Sequence, residues 1–204
     1  LPAGAEWLYD GTDDYGNPAK NRDRVDSANY TIETYTGRSA PRAYTTNCVH
    51  MISANLNRTT MAVEESYDVY LTGDGRYGEL GEDFGGDSIR FDRGLILPPQ
   101  MVLGETATII RDVYFNGEFF FATTASLKVI EKTAITVPAG TFTNVLHVRF
   151  TMTFPDGSKS VGDEWWAKSI GKIKYAGVSS DDLSNYELIQ YSLPSAPDMA
   201  GADI

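Results

Sequence analysis

From Val145 to Phe154 apolar and polar side chains alternate with a period of two. Leu146, Val148, Phe150, Met152 and Phe154 fall on one face; Val145, His147, Arg149, Thr151 and Thr153 fall on the other. This alternation predicts an antiparallel strand with one buried and one wet face. Pro155-Asp156-Gly157-Ser158 supplies turn chemistry, and a second strand returns through Glu164-Trp165-Trp166-Ala167-Lys168. Similar signals run along the chain. Tyr30–Tyr35, Tyr44–Asn57 and Ala62–Thr72 read as strands, the last with Val63, Glu65, Tyr67, Val69 and Leu71 on one face. Gly73-Asp74-Gly75 predicts a hairpin turn into Arg76–Leu80. Gly81–Gly94 reads as a loop with a short strand at Ser88–Phe91, and Leu95–Pro99 as an extended connector. Thr106–Phe115, Asn116-Gly117 and Glu118–Ala122 make the clearest hairpin, because Asn-Gly is the preferred type I′ pair. Ala125–Ala134, Lys172–Val178 and Tyr186–Leu193 add further strands.

Nowhere do apolar residues recur at i, i+3, i+4 and i+7 through a full helical window. The pattern predicts an all-β, single-domain antiparallel rolled sheet or half-barrel of about 10–12 strands with little helix. Residues 1–28, turn-rich and charged, read as an irregular acidic N-terminal segment. Residues 29–193 form the β domain, and 194–204 a flexible tail. No repeat of fixed length is visible, which excludes a propeller or solenoid.

Composition narrows the function. The 204 residues are 42% apolar and 12% aromatic, ample for a core. The formal net charge of −11 repels phosphate backbones and anionic membrane surfaces, so no nucleic-acid partner is expected. No apolar run approaches the ~18 residues of a transmembrane segment. The start at Leu1, without a methionine, suggests a processed or trimmed chain, from which any export signal would already have been removed. Cys48 is the single cysteine, so no intrachain disulfide forms and the cysteine count does not fix the compartment. Asn29-Tyr30-Thr31 and Asn57-Arg58-Thr59 match the glycosylation sequon, which matters only in a host that uses it.

The segment Val137-Pro138-Ala139-Gly140-Thr141-Phe142, followed by a strand, a hairpin and Trp166-Ala167-Lys168-Ser169-Ile170-Gly171-Lys172-Ile173-Lys174-Tyr175, resembles a C-terminal signature of exported bacterial β-proteins and lipoproteins of unknown function. In that group "VPAGTF" precedes one strand and "WYAKGVGLVK" follows the next. Trp166 here replaces the usual tyrosine, and Ser169-Ile170 replaces Gly-Val. Leu97-Pro98-Pro99 with Gly104-Glu105-Thr106 also resembles an earlier element of the group; residues 95–193 carry the likeness. The resemblance implies an extracytoplasmic location (periplasm, cell surface or secreted) and a sheet like the half-barrel of periplasmic lipoprotein carriers. It brings no catalytic residues. Physically, Pro138 and Gly140 turn the chain sharply, and Gly171 permits a bulge that curves the sheet.

Candidate chemistry is sparse. Cys48 and His50 share a strand face, as a nucleophile or half a metal site would require, but no third partner is spelled out; the plain reading is a buried thiol and a surface histidine. His147, beside Arg149 on a polar face, reads as a solvated strand histidine, since no G-x-S-x-G motif accompanies it. Two histidines and one cysteine are too few for a four-ligand zinc site. Asp10, Asp13, Asp14 and Asn17 cluster in a glycine-containing loop, where hard oxygens can hold Ca²⁺, although the spacing is not an EF-hand's. A second acidic group, Glu82, Asp83 and Asp87, reads as solvated loop charge; so, on the plain reading, does the first.

The aromatics carry the binding hypothesis. Adjacent strand residues face opposite sides, so one of Trp165 and Trp166 leaves the core, as does Phe120 relative to Phe119 and Phe121. Glu164 and Lys168 flank Trp166, so Trp165 is expected in the core and Trp166 outside it. Trp166, Trp165, Phe120 and Tyr114 are the ligand-binding candidates. The leading expectation is a non-enzymatic extracytoplasmic protein whose concave sheet face holds an apolar small molecule, a lipid or a segment of an envelope protein, with no cofactor. The competitor is a carbohydrate-binding or adhesion sandwich, Ca²⁺-stabilised in one version. A hydrolase ranks third for want of any motif. An enclosed aromatic-lined pocket favours the first and a flat exposed strip the second.

Overall fold

A computed structural model describes residues 1–72, 78–93, 102–178 and 184–194. No described residue is helical. The strands are β1 (Glu6–Thr12), β2 (Pro18–Thr36), β3 (Arg42–Leu56), β4 (Val63–Thr72), β5 (Glu79–Phe84) and β6 (Asp87–Phe91). They continue with β7 (Thr106–Phe115), β8 (Glu118–Val137), β9 (Gly140–Thr153), β10 (Lys159–Ala167), β11 (Gly171–Gly177) and β12 (Asn185–Ser192). Each pairs antiparallel with its successor, and β12 pairs with β1, so the rolled sheet closes into a barrel. Closure leaves no edge strand for another chain to extend.

The closing strand lies in the segment read as irregular. Residues 1–28 contain β1 and the first half of β2; Asn21, Asp23 and Val25 face inward with Tyr9 and Trp7, whereas Lys20, Arg22 and Arg24 alternate with them on the outer face. Within Gly81–Gly94 the expected short strand at Ser88–Phe91 is present as β6, but residues 81–84 are also strand, as the end of β5, rather than loop. The Gly73–Gly75 turn, the Leu95–Pro99 connector and the tail beyond Pro194 lie outside the described residues. Elsewhere turn chemistry places the hairpins. Asn116 and Gly117 both have positive φ, 48° and 86°, as a type I′ turn requires. Pro138-Ala139 joins the paired residues Val137 and Gly140. Asp156 closes the β9–β10 turn by accepting from the Ser158 amide and hydroxyl.

Cross-strand partners share a face, so register carries the inner surface around the barrel. Val25, Met51, Val69, Glu82 and Ile89 form one such row. Val129, Val148, Glu164, Tyr175, Tyr186 and Gly11 form another. The face carrying Leu146, Val148, Phe150 and Met152 is thus the inside, as their alternation predicts, but the opposite face is not wet throughout, because Val145 and His147 on it are buried by neighbouring side chains. Trp7, Val25, Val49, Met51, Val69, Leu71, Ile173 and Leu188 belong to one buried core. Outside, the far end of the β2–β3 hairpin forms a second layer over β6 and β7. Thr34 Oγ1 donates to the Phe91 carbonyl at 2.9 Å, Arg90 Nε to the Glu33 carbonyl at 3.2 Å, and Arg38 grips Asp112 at 2.8–3.0 Å. The outward positions of β9–β12 carry Arg149, Asp163, Lys174 and Glu187, charges that a lipid-facing band excludes.

Candidate functional site

Two bulges build the interior. Between β10 and β11 the register slips after Trp165, so that Trp165 opposes Lys174 and Trp166 opposes Lys172, with Ile173 as the extra residue. The slip brings the Lys172 ammonium inside, beside Trp166. Trp166 Nε1 donates to Glu164 Oε2 at 2.9 Å, and Lys172 Nζ approaches Glu164 Oε1 at 3.4 Å. Between β4 and β5, Leu71 opposes Glu79 while Val69 opposes Glu82, with an irregularity at Leu80 and Gly81. In an even strand, residues three apart face opposite sides. The bulge puts both glutamates on the inner face.

Burial sets the electrostatics there. It pushes the Glu79 carboxyl upward, with the Arg111 and Lys172 charges opposing the shift. Glu82 is pushed up to about 7, by burial first and then by the negative charge of Glu79. Asp23 is raised by burial even though Ser53 Oγ donates to it at 2.7 Å. Burial pushes the Tyr67 hydroxyl up to about 12. Arg111 is 2% exposed, with its guanidinium 3.7 Å from the Phe91 ring centroid.

Three cavities share lining residues and make a path inward. A mouth of about 590 Å³ at one barrel end is bounded by Val49, Leu71, Trp166, Ile170 and Leu193 among others. Trp166 and Gly171 pass it to a throat of about 40 Å³ that also meets Trp7, Tyr9, Met51 and Lys172. Tyr9, Asp23 and Lys172 continue into a chamber of about 190 Å³ lined by Asn21, Ser53, Tyr67, Tyr175 and Tyr186. An apolar entrance thus leads to a polar interior.

The four aromatic candidates do not form one site. Trp166, expected outside the core, lines the mouth and throat on the inner face with Leu146. The reason is that Glu164 is not solvated; Trp166 and Lys172 hold it inside. Trp165 faces outward, stacked on His147 with ring centroids 4.4 Å apart and planes 14° apart, and also packs against the core. Phe120 is 66% exposed beside Phe115 and Phe121. Tyr114 is fully buried against Tyr35 and Phe119.

Of the loop acids, Asp10 is held by Arg58 at 2.7 Å, and Asp13 Oδ1 accepts from the Tyr15 and Asn17 amides to shape the β1–β2 turn. No group of three or more metal-ligating His, Cys, Asp or Glu side chains forms among the described residues. The acids read as a second solvated loop group separate: Glu82 points inside, whereas Asp83 is outside, bound by Arg90 at 2.6 Å and by the Tyr70 hydroxyl at 2.8 Å. Neither histidine is solvated. His147 is 9% exposed, between Glu131 at 3.2 Å and Asp163 at 3.3 Å under the Trp165 indole. His50 contacts Asp68 at 2.7 Å and Asp26 at 3.3 Å, against the rings of Tyr30 and Tyr70. Cys48 is buried with Ile32, Tyr70 and Leu80.

Sequence reasoning passed over Asp23, Glu79, Arg111 and Lys172 as site residues and read Glu82 as solvated loop charge. Arg111 carried a signal: it is a charge between Ile109 and Val113, on their face of a strand. The glutamates carried none, because only the bulge aligns them.

No family profile and no curated relative matches the chain. Two solved structures share its fold. One is a lipoprotein candidate from Parabacteroides distasonis ATCC 8503, 13% identical, with a TM-score of 0.54 over 94% of this chain and 96% of that one. The other is a candidate exported protein with a YmcC-like fold from Bacteroides fragilis NCTC 9343, 16% identical, with a TM-score of 0.54 over 94% and 97% of the two chains. At these identities the similarity is one of fold.

Proposed function

We propose that this chain is a non-enzymatic, extracytoplasmic binding protein that takes an apolar ligand or an apolar chain segment into the end of its barrel. The observation that carries the reading is the mouth of about 590 Å³, lined by Val49, Leu71, Ile170, Leu193 and Trp166 among others. Concave, mostly apolar clefts with a few polar groups are the usual form of small-molecule sites. The location is supported by the fold shared with a lipoprotein candidate and a candidate exported protein, and by the likeness of the Val137–Tyr175 segment to exported β-proteins. The carbohydrate reading has less support, because Trp7 is buried and Trp165 and Trp166 are both partly covered, so the tryptophans form no flat exposed strip. The test is titration with an environment-sensitive naphthylamine dye. Saturable binding in the wild type that is lost in a folded Trp166→Ala variant supports the proposal; dye binding indifferent to Trp166 overturns it.

A further inference from the structure

Arg111 lies on the inner face, the cross-strand partner of Thr123 and two residues from the core member Val113. Its Nε is buried with no hydrogen-bond partner. Among the described residues no carboxylate reaches the guanidinium within ion-pair distance; the guanidinium lies 3.7 Å from the Phe91 ring centroid. A buried guanidinium with unmade donors is costly to fold around, and its planar fork matches a carboxylate or phosphate. The charged groups that act on it are Glu79 and Glu82 from β5 and Asp92 just after β6. Beyond Glu79 lie Lys172 from β11 and Glu164 from β10. The glutamates do not compete for the role of anion when they carry protons, which their burial favours; a neutral carboxyl instead donates a hydrogen bond. Glu79 is also the cross-strand partner of Leu71, which lines the mouth, so the polar group begins one strand position from the apolar entrance.

Resting on the apolar-ligand reading above, we infer that the ligand is an anionic amphiphile. Its acyl tail fills the Trp166-lined mouth, and its single anionic head is received inside the barrel by Arg111, with Glu79 and Glu82 as donors. Lys172 adds a second positive charge on the opposite wall. The head is a carboxylate or a phosphate monoester, which the fork accepts equally.

The probes are decanoate, decyl phosphate, decanol and decylamine, which share a tail and differ in head, each titrated by dye displacement at pH 6.5. The expected result is at least tenfold tighter binding of decanoate or decyl phosphate than of decanol, with that preference abolished in Arg111→Met. The ratio of the two anions separates the possible heads. The preference should also shrink as pH rises to 9 and the glutamates ionise, a readout that needs no variant. In the absence of ligand, Arg111→Met should melt no lower than the wild type, because an unpaired buried charge has been removed. Equal binding of decanol and the anions, unaffected by Arg111→Met, overturns the head assignment and leaves the apolar mouth standing. Tightest binding of decylamine assigns the interior to a cation and overturns it. Failure of all four to bind removes both the inference and the reading beneath it.

Discussion

Trp165 and Trp166, adjacent in the chain, lie on opposite sides of the barrel wall: the first stacks on His147 outside, and the second donates to Glu164 inside. Their replacements should therefore separate stability from binding. Trp165→Ala removes the stacked pair and its packing against the core, for about 2–4 kcal/mol. Trp166→Ala opens the mouth and leaves Glu164 with the Lys172 contact, for about 1–3 kcal/mol. Urea denaturation with dye titration checks both. Only the Trp166 variant should lose the dye; equal loss in the two would show that the dye site depends on general packing.

The glutamate pair predicts an unusual pH profile. Both groups hold protons more tightly folded than unfolded, so the contribution of the protonated pair is fully present below about 4.5, the ordinary glutamate value, and is lost as pH rises through about 7. The unfolding free energy should fall by roughly 2–3 kcal/mol between pH 4.5 and 8. Asp83 and Asp163 have the opposite sign. Burial raises them, but Arg90 with Tyr70, and Arg149 with His147, hold them below the usual range, so their contribution fades only in stronger acid. Melting temperature against pH checks this, and Glu82→Gln should flatten the slope. A profile rising from pH 5 to 8 would rule out protonation of the pair.

What the sequence made legible and what it hid divide along physical lines. The period-2 face of β9, the Asn116-Gly117 hairpin and the Pro138–Gly140 turn follow from local steric rules, and all appear where those rules place them. Closure through β1 was hidden, because Lys20 to Asp26 looks like loop charge: Lys20, Arg22 and Arg24 lie on the outer face, and Asp23 is accepted inside only because the barrel interior is partly polar. The same polarity misplaced Trp166. Glu79 and Glu82 could not be paired from spacing, since the bulge that aligns them is a tertiary feature.

Gly81 holds that bulge. Its φ is 154°, and a Cβ there would sit 2.3 Å from the Ile89 carbonyl oxygen. Gly86 also has positive φ, 94°, but open space around it. Gly81→Ala should cost about 2–4 kcal/mol, strain and clash together, and Gly86→Ala about 1 kcal/mol. Chemical denaturation of the two variants checks the difference. The Gly81 variant should also lose the acid-side stability gain, since Glu79 and Glu82 separate when the register relaxes. Two equal, small losses would show that the wall adjusts without the bulge.

Cys48 reports on the outer layer. It lies two residues from His50 in β3, 1% exposed, packed with Ile32, Tyr70 and Leu80 beneath the far end of the β2–β3 hairpin. Burial pushes its thiol up to about 11, with the Arg90 charge opposing. The thiolate is the reactive species, so the native protein combines a low thiolate fraction with a covered sulfur. Labelling by a thiol reagent at pH 8 should be at least a hundredfold slower in the native state than in denaturant. Arg38→Ala removes the exposed clamp on Asp112 and should change global stability by less than about 1 kcal/mol. If the hairpin opens locally, that variant should nonetheless label faster, because the reagent then reads hairpin opening rather than unfolding. Unchanged labelling in Arg38→Ala would show that Cys48 is reached only through global unfolding. Fast labelling of the wild type would show that the outer layer does not cover the thiol in solution.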